Sequence, residues 1–146
     1  MTRAKALRGL ALTMGYACVA IGILHVLLGN ASIPGAENAG PTIDSLGRFL
    51  GATFAGYGLA WLWAARQTPI PATAVRGLTA VFLAGALGRL LSLAVEGRPH
   101  GFQLALAALE LALSPLLFWL ADADADVAAR ADGEGRPATH AQDDTA

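Results

Sequence analysis

The chain has 146 residues, which is enough for one domain. Hydrophobic residues make up 55% of it and charged residues only 14%, with a mean hydropathy of +0.51. Because a soluble domain usually carries about 25% charged residues, this composition excludes a mostly disordered chain and predicts an integral membrane protein. The net charge of −1 excludes the basic surface that a nucleic-acid-binding protein needs.

Apolar stretches follow one another along the chain, over residues 9–29, 45–65, 73–95 and 101–121. At about 1.5 Å of rise per residue, each is long enough to cross a hydrocarbon core of about 30 Å as a helix. Proline and glycine separate the stretches, and Asp44 or Ser45 is placed to cap the second helix. The short loops make neighbouring helices antiparallel. The sequence therefore predicts an all-α fold, an antiparallel four-helix bundle in the membrane.

Basic residues predict the orientation of this bundle, since cytoplasmic loops are enriched in Lys and Arg. Those that precede the first helix or flank the loop between the second and third are Arg3, Lys5, Arg8, Arg66 and Arg76. The opposite loops contain only Arg98. Near the predicted cytoplasmic boundary of the membrane lie Trp61, Trp63 and Trp119. The amphipathic ring of tryptophan prefers a membrane–water interface. We predict a multi-pass protein of the bacterial inner membrane, with the N-terminal segment 1–8 and the C-terminus in the cytoplasm.

The composition changes abruptly after Trp119. Residues 122–146 contain mainly Ala, Asp, Gly, Arg, Thr and Pro and have no hydrophobic periodicity. Such a segment cannot bury enough apolar surface to offset the entropy lost on ordering. It is predicted to be a disordered, acidic and alanine-rich tail.

Each predicted helix contains an ionisable residue: His25, Arg48, Arg89 and Glu110. A charge inside a bilayer costs about 2.5–3.5 kcal/mol on insertion scales, so it needs a partner. On each helix, residues spaced three or four positions apart place the ionisable residue on one face with small residues. Small residues allow helices to pack closely, so all four ionisable residues are expected to point into the bundle. The resulting faces are Ala11, Gly15, Cys18, Gly22, His25 and Gly29; Arg48, Gly51, Ala55, Gly58, Leu62 and Ala65; Gly85, Arg89, Ser92 and Glu96; and Gln103, Ala107, Glu110, Ser114 and Leu117.

The same residues are predicted to lie in the extracytoplasmic half of the bundle. At about 1.5 Å per residue from the outer helix ends, Arg89 is about 9 Å deep and Glu110 about 14 Å. An Arg89–Glu110 ion pair is expected, and Asp44 and Arg48 are expected to pair within their helix. Pro115 is expected to kink the fourth helix, with the Ser114 hydroxyl bonding to freed carbonyls. The predicted buried polar network, which is also the candidate ligand site, consists of His25, Asp44, Arg48, Arg89, Ser92, Glu110 and Ser114.

Motifs of known catalytic sites are missing from the sequence. It has no nucleophile elbow, no glycine-rich phosphate loop and no metal-ligand spacing. The single cysteine, Cys18, excludes an intramolecular disulfide and a thiolate metal cluster. No catalytic residue, metal or cofactor is predicted, and we favour a role other than catalysis.

Several short motifs resemble those of the bacterial membrane proteins of the DUF4345 family, a domain of unknown function. They are Asp44-Ser45 with Arg48-Phe49, Gly88-Arg89 with Ser92, Gly97-Arg98-Pro99, and Glu110-Leu111. The resemblance covers roughly residues 7–121. It implies a four-helix inner-membrane protein and singles out Asp44, Arg48, Arg89 and Glu110, but it implies no activity. In architecture alone, the chain is also similar to small four-helix proteins of the DoxX type, some of which are linked to quinone-dependent redox complexes.

Three functions fit this sequence best, and a fourth, proton-coupled transport, would need oligomerisation to provide a pathway. The favoured one is a binding or accessory protein in the lipid bilayer, whose polar cluster holds a small polar molecule or lipid head group or docks a membrane-protein partner or a second copy. Guanidinium groups in such a cluster suit carboxylate or phosphate. The second is a subunit of a quinone-linked redox system in which His25 and Glu110 relay protons. The third is a charge network that only fixes how the helices dock.

Overall fold

The computed structural model describes the backbone of residues 3–134 and the side chains of residues 3–122. The helices in this part of the chain are α1, Arg3–Leu28; α2, Pro41–Arg66; α3, Ala72–Glu96; and α4, Gly101–Glu134. A 3₁₀ turn, Gly29–Ser32, follows α1, and no strand occurs between residues 3 and 134. The predicted all-α, four-helix fold is confirmed.

Three of these helices are long and apolar enough to cross a membrane: α1 with the 3₁₀ turn, α3, and α4 as far as Asp122. The chain is therefore a helical membrane protein. The remaining helix, α2, has the length, with 26 residues, but Asp44, Arg48 and four glycines make it less apolar. That α2 also crosses the membrane stays a prediction, as does the orientation of the termini.

Two helices begin earlier than predicted. Helix α1 starts at Arg3 instead of residue 9, and α2 starts at Pro41 instead of residue 45. Proline suits the first helical position because the N–H that it lacks would have no partner within the helix. Gly40 is the N-cap residue and no side chain caps the helix, so the cap predicted at Asp44 or Ser45 is wrong.

The fourth helix continues beyond its predicted end. It runs through Pro115 and on to Glu134, so the segment predicted to be disordered from residue 122 is helical as far as residue 134. Alanine has the highest helix propensity, and an alanine-rich sequence extends an existing helix without a new nucleation step. The rest of the predicted tail, residues 135–146, lies outside the described residues.

Glycines bring α1 and α2 into backbone contact along much of their length. A Cβ atom added to Gly22 would lie 2.5 Å from the carbonyl oxygen of Gly51, and one added to Gly58 would lie 2.7 Å from that of Gly15. Any other residue would force the helices apart, because these neighbours are backbone atoms. The small-residue faces predicted for α1 and α2 therefore meet each other.

The face predicted for α4 is also buried, whereas the prediction for α3 is wrong in part. On α4 the buried residues include Ala107, Glu110, Ser114 and Leu117. On α3, Gly85, Ser92 and Glu96 are exposed, and Arg89 is half-buried against α4. The buried residues of α3 are Val75, Thr79 and Ala86. The true packing face of α3 is thus rotated by about one residue from the predicted one.

The hydrophobic core lies at the end of the bundle that contains the first turns of α1. There the α1–α2 hairpin packs against the α3–α4 hairpin, and the Tyr57 hydroxyl donates to the Leu78 carbonyl at 2.7 Å. The core consists of Leu7, Ala11, Met14, Trp61, Ala65, Ile70, Val75, Leu117, Leu120 and Ala121. Trp61 is fully buried in this core, whereas Trp63 and Trp119 are exposed. Only Trp63 and Trp119 therefore remain candidates for a position at the membrane boundary.

Toward the opposite end of the bundle, α1 loses its contact with the second hairpin. Residues seven apart lie on the same helix face to within about 20°. Leu7, Met14 and Cys18 are buried on one such face of α1, whereas Ile21, next along it, is 39% exposed. This face of α1 therefore becomes exposed beyond Cys18.

The other hairpin-facing surfaces show the same change. On α2, Tyr57 packs against the core, and Leu50, seven residues earlier, is 53% exposed. On α3, Leu78 packs against the core, whereas Gly85 and Ser92 on the same face are exposed. Contact between the hairpins is therefore concentrated at the end of the bundle that contains the core.

Candidate binding site

Asp44 and Arg48 form the ion pair predicted within α2, with 2.7 Å between Arg48 Nε and Asp44 Oδ2. The Arg48 Nη1 also donates to the carbonyl oxygens of Val26 and Leu27, at 2.6 and 3.2 Å. The backbone N–H of Asn30 donates to Asp44 Oδ1 at 3.0 Å. Since the last carbonyls of a helix have no partner within it, this pair closes the end of α1.

Gly29 is the residue that permits this closure. Its φ of +56° lies in the left-handed region, which favours glycine after a helix. A Cβ atom here would collide with the Asp44 carboxylate. The hydrogen bond from Arg48 lowers the pKa of Asp44, and the one from Asn30 lowers it further, so the carboxylate is ionised at neutral pH.

His25 belongs to this same end of α1. Its Nδ1 lies 2.7 Å from the Ser32 hydroxyl oxygen, and that hydroxyl donates to the Gly29 carbonyl at 2.6 Å. Because a serine hydroxyl has one proton, His25 Nδ1 must be the donor to Ser32. This hydrogen-bond network places a proton on Nδ1. The histidine thus helps to order the turn after α1.

Arg89 on α3 and Glu110 on α4 form the predicted ion pair inside the bundle. Arg89 Nε lies 3.2 Å from Glu110 Oε2 and 3.3 Å from Oε1. Its Nη1 donates to the Gln103 Oε1 at 2.5 Å. The side chain of Glu110 is 11% exposed and that of Arg89 is 37% exposed. The pair therefore joins α3 to α4, and Arg89 offsets the charge of the nearly buried Glu110 carboxylate.

Gln103 was placed on the packing face of α4 but was not predicted as a site residue. The signal for it is its position, seven residues before Glu110 and thus on the same helix face. In the first turn of a membrane helix, a glutamine is usually explained by contact with water at the helix end. Position alone therefore did not indicate that Gln103 binds Arg89. The structure makes it a third member of what we call the Arg89 network: Arg89, Gln103 and Glu110.

A cavity of about 190 Å³ borders the Arg89 network between α3 and α4. Its lining includes Arg89, Ser92, Leu93, Pro99 and Gln103. The predicted site residue Ser92 therefore lies at the cavity, although it is exposed. Its hydroxyl makes no hydrogen bond with the described residues, and it contributes a free polar group to the lining.

Ser114 is placed differently from the prediction. Its hydroxyl donates to the Glu110 backbone carbonyl at 2.7 Å, within α4. It does not bond to the Glu110 carboxylate, and Pro115 frees the carbonyl one residue further on, that of Leu111. Ser114 is fully buried beneath the Arg89 network and has a local role in the helix.

The single predicted cluster is thus divided into two groups. His25, Asp44 and Arg48 lie at the end of α1, and the Arg89 network lies between α3 and α4. Among the described side chains, no hydrogen bond or ion pair connects the groups. They belong to different hairpins, whose contact is concentrated at the opposite end, and so the expected meeting of all four helices' ionisable residues does not occur.

Proximity to the cavity distinguishes the two groups. A guanidinium has five N–H donors. In both arginines, Nε and Nη1 make the described hydrogen bonds, and Nη2 has no acceptor among the described residues. Arg89 lines the cavity between α3 and α4, whereas Arg48 does not. Arg89 is therefore the cation with a donor to offer to a molecule in that cavity.

These features define a small helical membrane protein with an ion pair buried between two of its helices. Within the part searched, no group of His, Cys, Asp and Glu side chains could hold a metal ion. The chain belongs to the family described as a domain of unknown function, DUF4345, which it matches over residues 6–121. No curated protein and no solved structure matches it. The architectural similarity to DoxX-type proteins stays a prediction.

Proposed function

We propose that this protein is a binding protein of the bacterial inner membrane, and that its Arg89 network holds the polar part of a small molecule or lipid. The observation that carries the proposal is the unpaired Nη2 of Arg89 beside a cavity that also contains Ser92 and Gln103. An ionised pair within a membrane is costly. Two helices can be packed without one, so its presence supports a role in recognition.

Arg48 is excluded from the proposed site. The sequence suggested that Arg48 and Arg89 act together on one ligand, yet Arg48 is bound to Asp44 and to the end of α1. Its loss would disturb that helix end and would not report on a ligand. The proposal therefore concerns Arg89 alone among the arginines.

Native mass spectrometry of the gently extracted protein tests the proposal. The wild type is expected to retain a small molecule or lipid, and Arg89→Gln, which removes the charge, is expected to lose it. Arg98→Gln is the matched control because Arg98 is an exposed arginine at the same end of α3. Unfolding temperatures establish that each variant is folded. A wild type without any bound species, or equal retention by Arg89→Gln, would contradict the proposal.

A structural role is the second candidate, and the Asp44–Arg48 pair supports it because that pair closes a helix end. The Arg89 network could likewise serve only to dock α3 on α4. In that case Arg89→Glu with Glu110→Arg should restore a fold that either single change destroys, and no retained ligand should depend on Arg89. The relay predicted between His25 and Glu110 has no such support, since the described hydrogen bond of His25 is to Ser32.

A further inference from the structure

We infer that Gln103 determines the specificity of the cavity beside the Arg89 network, and that the ligand is a compact, uncharged molecule with one hydrogen-bond acceptor, of the size of cyclohexanone. The inference rests on the proposed function and adds the chemical class and the size of the ligand. It narrows the expectation from sequence, which favoured carboxylate or phosphate. The orientation of the Gln103 amide, the charge of the network and the volume of the cavity carry it.

The hydrogen bond to Arg89 fixes the orientation of the Gln103 amide. Arg89 Nη1 donates to Gln103 Oε1 at 2.5 Å. Because a guanidinium has donors but no acceptor, the amide oxygen faces Arg89 and the amide nitrogen, Nε2, is left for another partner. Neither Nε2 nor Arg89 Nη2 has an acceptor among the described residues, and both side chains line the cavity. Together they offer N–H groups to a bound molecule, which must supply the acceptor.

The charge of the network argues against an ion as the ligand. Arg89 and Glu110 offset each other, with 3.2 Å between Nε and Oε2, and Gln103 is uncharged. An anion would leave this half-buried site with a net negative charge, which is unfavourable. A cation would face the N–H groups of Arg89 and Gln103. An uncharged oxygen accepts their hydrogen bonds without either cost.

The volume and the lining of the cavity define the rest of the ligand. The cavity of about 190 Å³ is somewhat larger than an apolar cavity of about 150 Å³ that binds benzene. Apart from Arg89, Ser92 and Gln103, its lining is apolar. The apolar members are Leu90, Leu93, Pro99, Leu104 and Ala107. An apolar ring of about six carbon atoms therefore fits this space, with a single oxygen at its polar side.

Three ring compounds that differ in their polar group test the inference: cyclohexanone, cyclohexylammonium and cyclohexanecarboxylate. Each is titrated against the protein in phosphatidylcholine nanodiscs by saturation-transfer NMR, and the signal from empty nanodiscs is subtracted. Cyclohexanone is expected to bind at least about tenfold more tightly than either ion. Equal or tighter binding of an ion overturns the inference. So does the absence of binding by all three, which would mean that water occupies the cavity.

Gln103→Glu tests the role of Gln103 directly. The carboxylate keeps an acceptor for Arg89 Nη1, removes the amide N–H groups and gives the network a net negative charge. The order of the probes should therefore reverse, with cyclohexylammonium bound at least about tenfold more tightly than cyclohexanone. A general loss of structure would weaken all three probes and would not reverse their order. An unchanged order in the folded variant contradicts the role of Gln103.

The matched control is Gln67→Glu, which makes the same chemical change at the other end of the bundle. Gln67 follows α2 and accepts a hydrogen bond from Arg8 through its backbone carbonyl, far from the cavity. This variant should leave the order of the probes unchanged. A reversal here as well would assign the effect to the charge of the whole protein and would overturn the role of Gln103.

Ala107→Leu and its control Ala108→Leu test the position of the ligand. Ala107 lines the cavity, whereas Ala108 is exposed and does not line it. The larger side chain takes up part of the cavity, so Ala107→Leu should weaken the binding of cyclohexanone by at least about tenfold, and Ala108→Leu should not. If Ala107→Leu does not fold, Ser92→Leu makes the same test from an exposed position of the lining. Binding that neither lining variant weakens would place the ligand elsewhere and contradict the inference.

The two proposals fail separately in these experiments. A retained ligand that depends on Arg89 and has the mass of a lipid contradicts this inference and leaves the proposed function intact. If neither a retained ligand nor the binding of cyclohexanone depends on Arg89, both proposals are wrong.

Discussion

At the scale of single residues, Gly29 carries the largest conformational constraint near the polar groups. Its backbone is left-handed, and the Asp44 carboxylate occupies the position that a side chain would need. Gly29→Ala is expected to lower the free energy of unfolding by at least about 1–2 kcal/mol, the cost of a left-handed residue with a Cβ atom. Thermal unfolding in detergent, followed by circular dichroism, measures the change.

The control for this prediction is the same substitution in an Asp44→Ala background. There the carboxylate that a Cβ atom at position 29 would meet is absent. Gly29→Ala should then show mainly the backbone cost, and so a smaller loss than in the wild-type background. Equal losses would mean that the contact with Asp44 has no energetic weight.

The Asp44 carboxylate predicts a pH dependence of stability. Its pKa is lowered in the folded protein, chiefly by Arg48, so its stabilising effect is complete above the unfolded pKa of about 3.9 and is lost as the pH falls through the lower, folded value. The wild type should therefore unfold at a higher temperature than Asp44→Asn at pH 7. The difference should shrink below about pH 4. A difference that is constant down to pH 2.5 would exclude the ionised pair as its cause.

At the scale of helices, the sequence predicts the packing faces where two helices actually meet. On α1 and α2, small residues at steps of three and four are in contact because glycine backbones approach each other. On α3 the same rule fails, since Gly85 and Ser92 are exposed instead of packed against a helix. Spacing identifies a face on which close packing is allowed, but the presence of a partner there depends on how the hairpins are arranged.

The contact between α1 and α2 predicts a large effect of one methyl group. Gly22→Ala places a Cβ atom 2.5 Å from backbone atoms of Gly51 and Ala55, which cannot move without the whole helix. The variant should lose about 1–3 kcal/mol of unfolding free energy through overpacking. Gly56→Ala on the exposed face of α2 meets nothing within 4 Å and should gain up to about 1 kcal/mol from helix propensity. Denaturant titration in mixed micelles distinguishes these opposite signs.

At the scale of the whole molecule, the concentration of hairpin contact at one end is the feature that sequence reasoning missed. The ion pairs Asp44–Arg48 and Arg89–Glu110 could be predicted because their partners are one turn apart on one helix or, on adjacent helices, within the reach of an arginine side chain. Their assembly into one cluster could not, because it depends on contact between α1 or α2 and the other hairpin at the end of the bundle opposite the core. The core that joins the hairpins is confined to the other end.

The packing of α2 predicts that it crosses the membrane although its composition is less apolar than that of the other helices. It lies against α1 from one end to the other: Arg8 donates to the Gln67 carbonyl at 2.9 Å at one end, and Arg48 donates to that of Val26 at the other. Helix α1 is long and apolar enough to span a membrane. A partner in contact over this whole length must span it as well, and Asp44 offsets the charge of Arg48 that lowers its apolarity.

This topology is tested with single cysteines in a Cys18→Ser background, placed in the three loops as Glu37→Cys, Thr68→Cys and Arg98→Cys. Four crossings with the termini in the cytoplasm require that an impermeant maleimide label the first and third from outside intact spheroplasts, and the second only after lysis. If α2 stays on one side of the membrane, Glu37→Cys and Thr68→Cys must react alike, because α2 alone separates them. The reverse pattern, with only Thr68→Cys labelled from outside, would keep four crossings and invert the orientation that the basic residues predict.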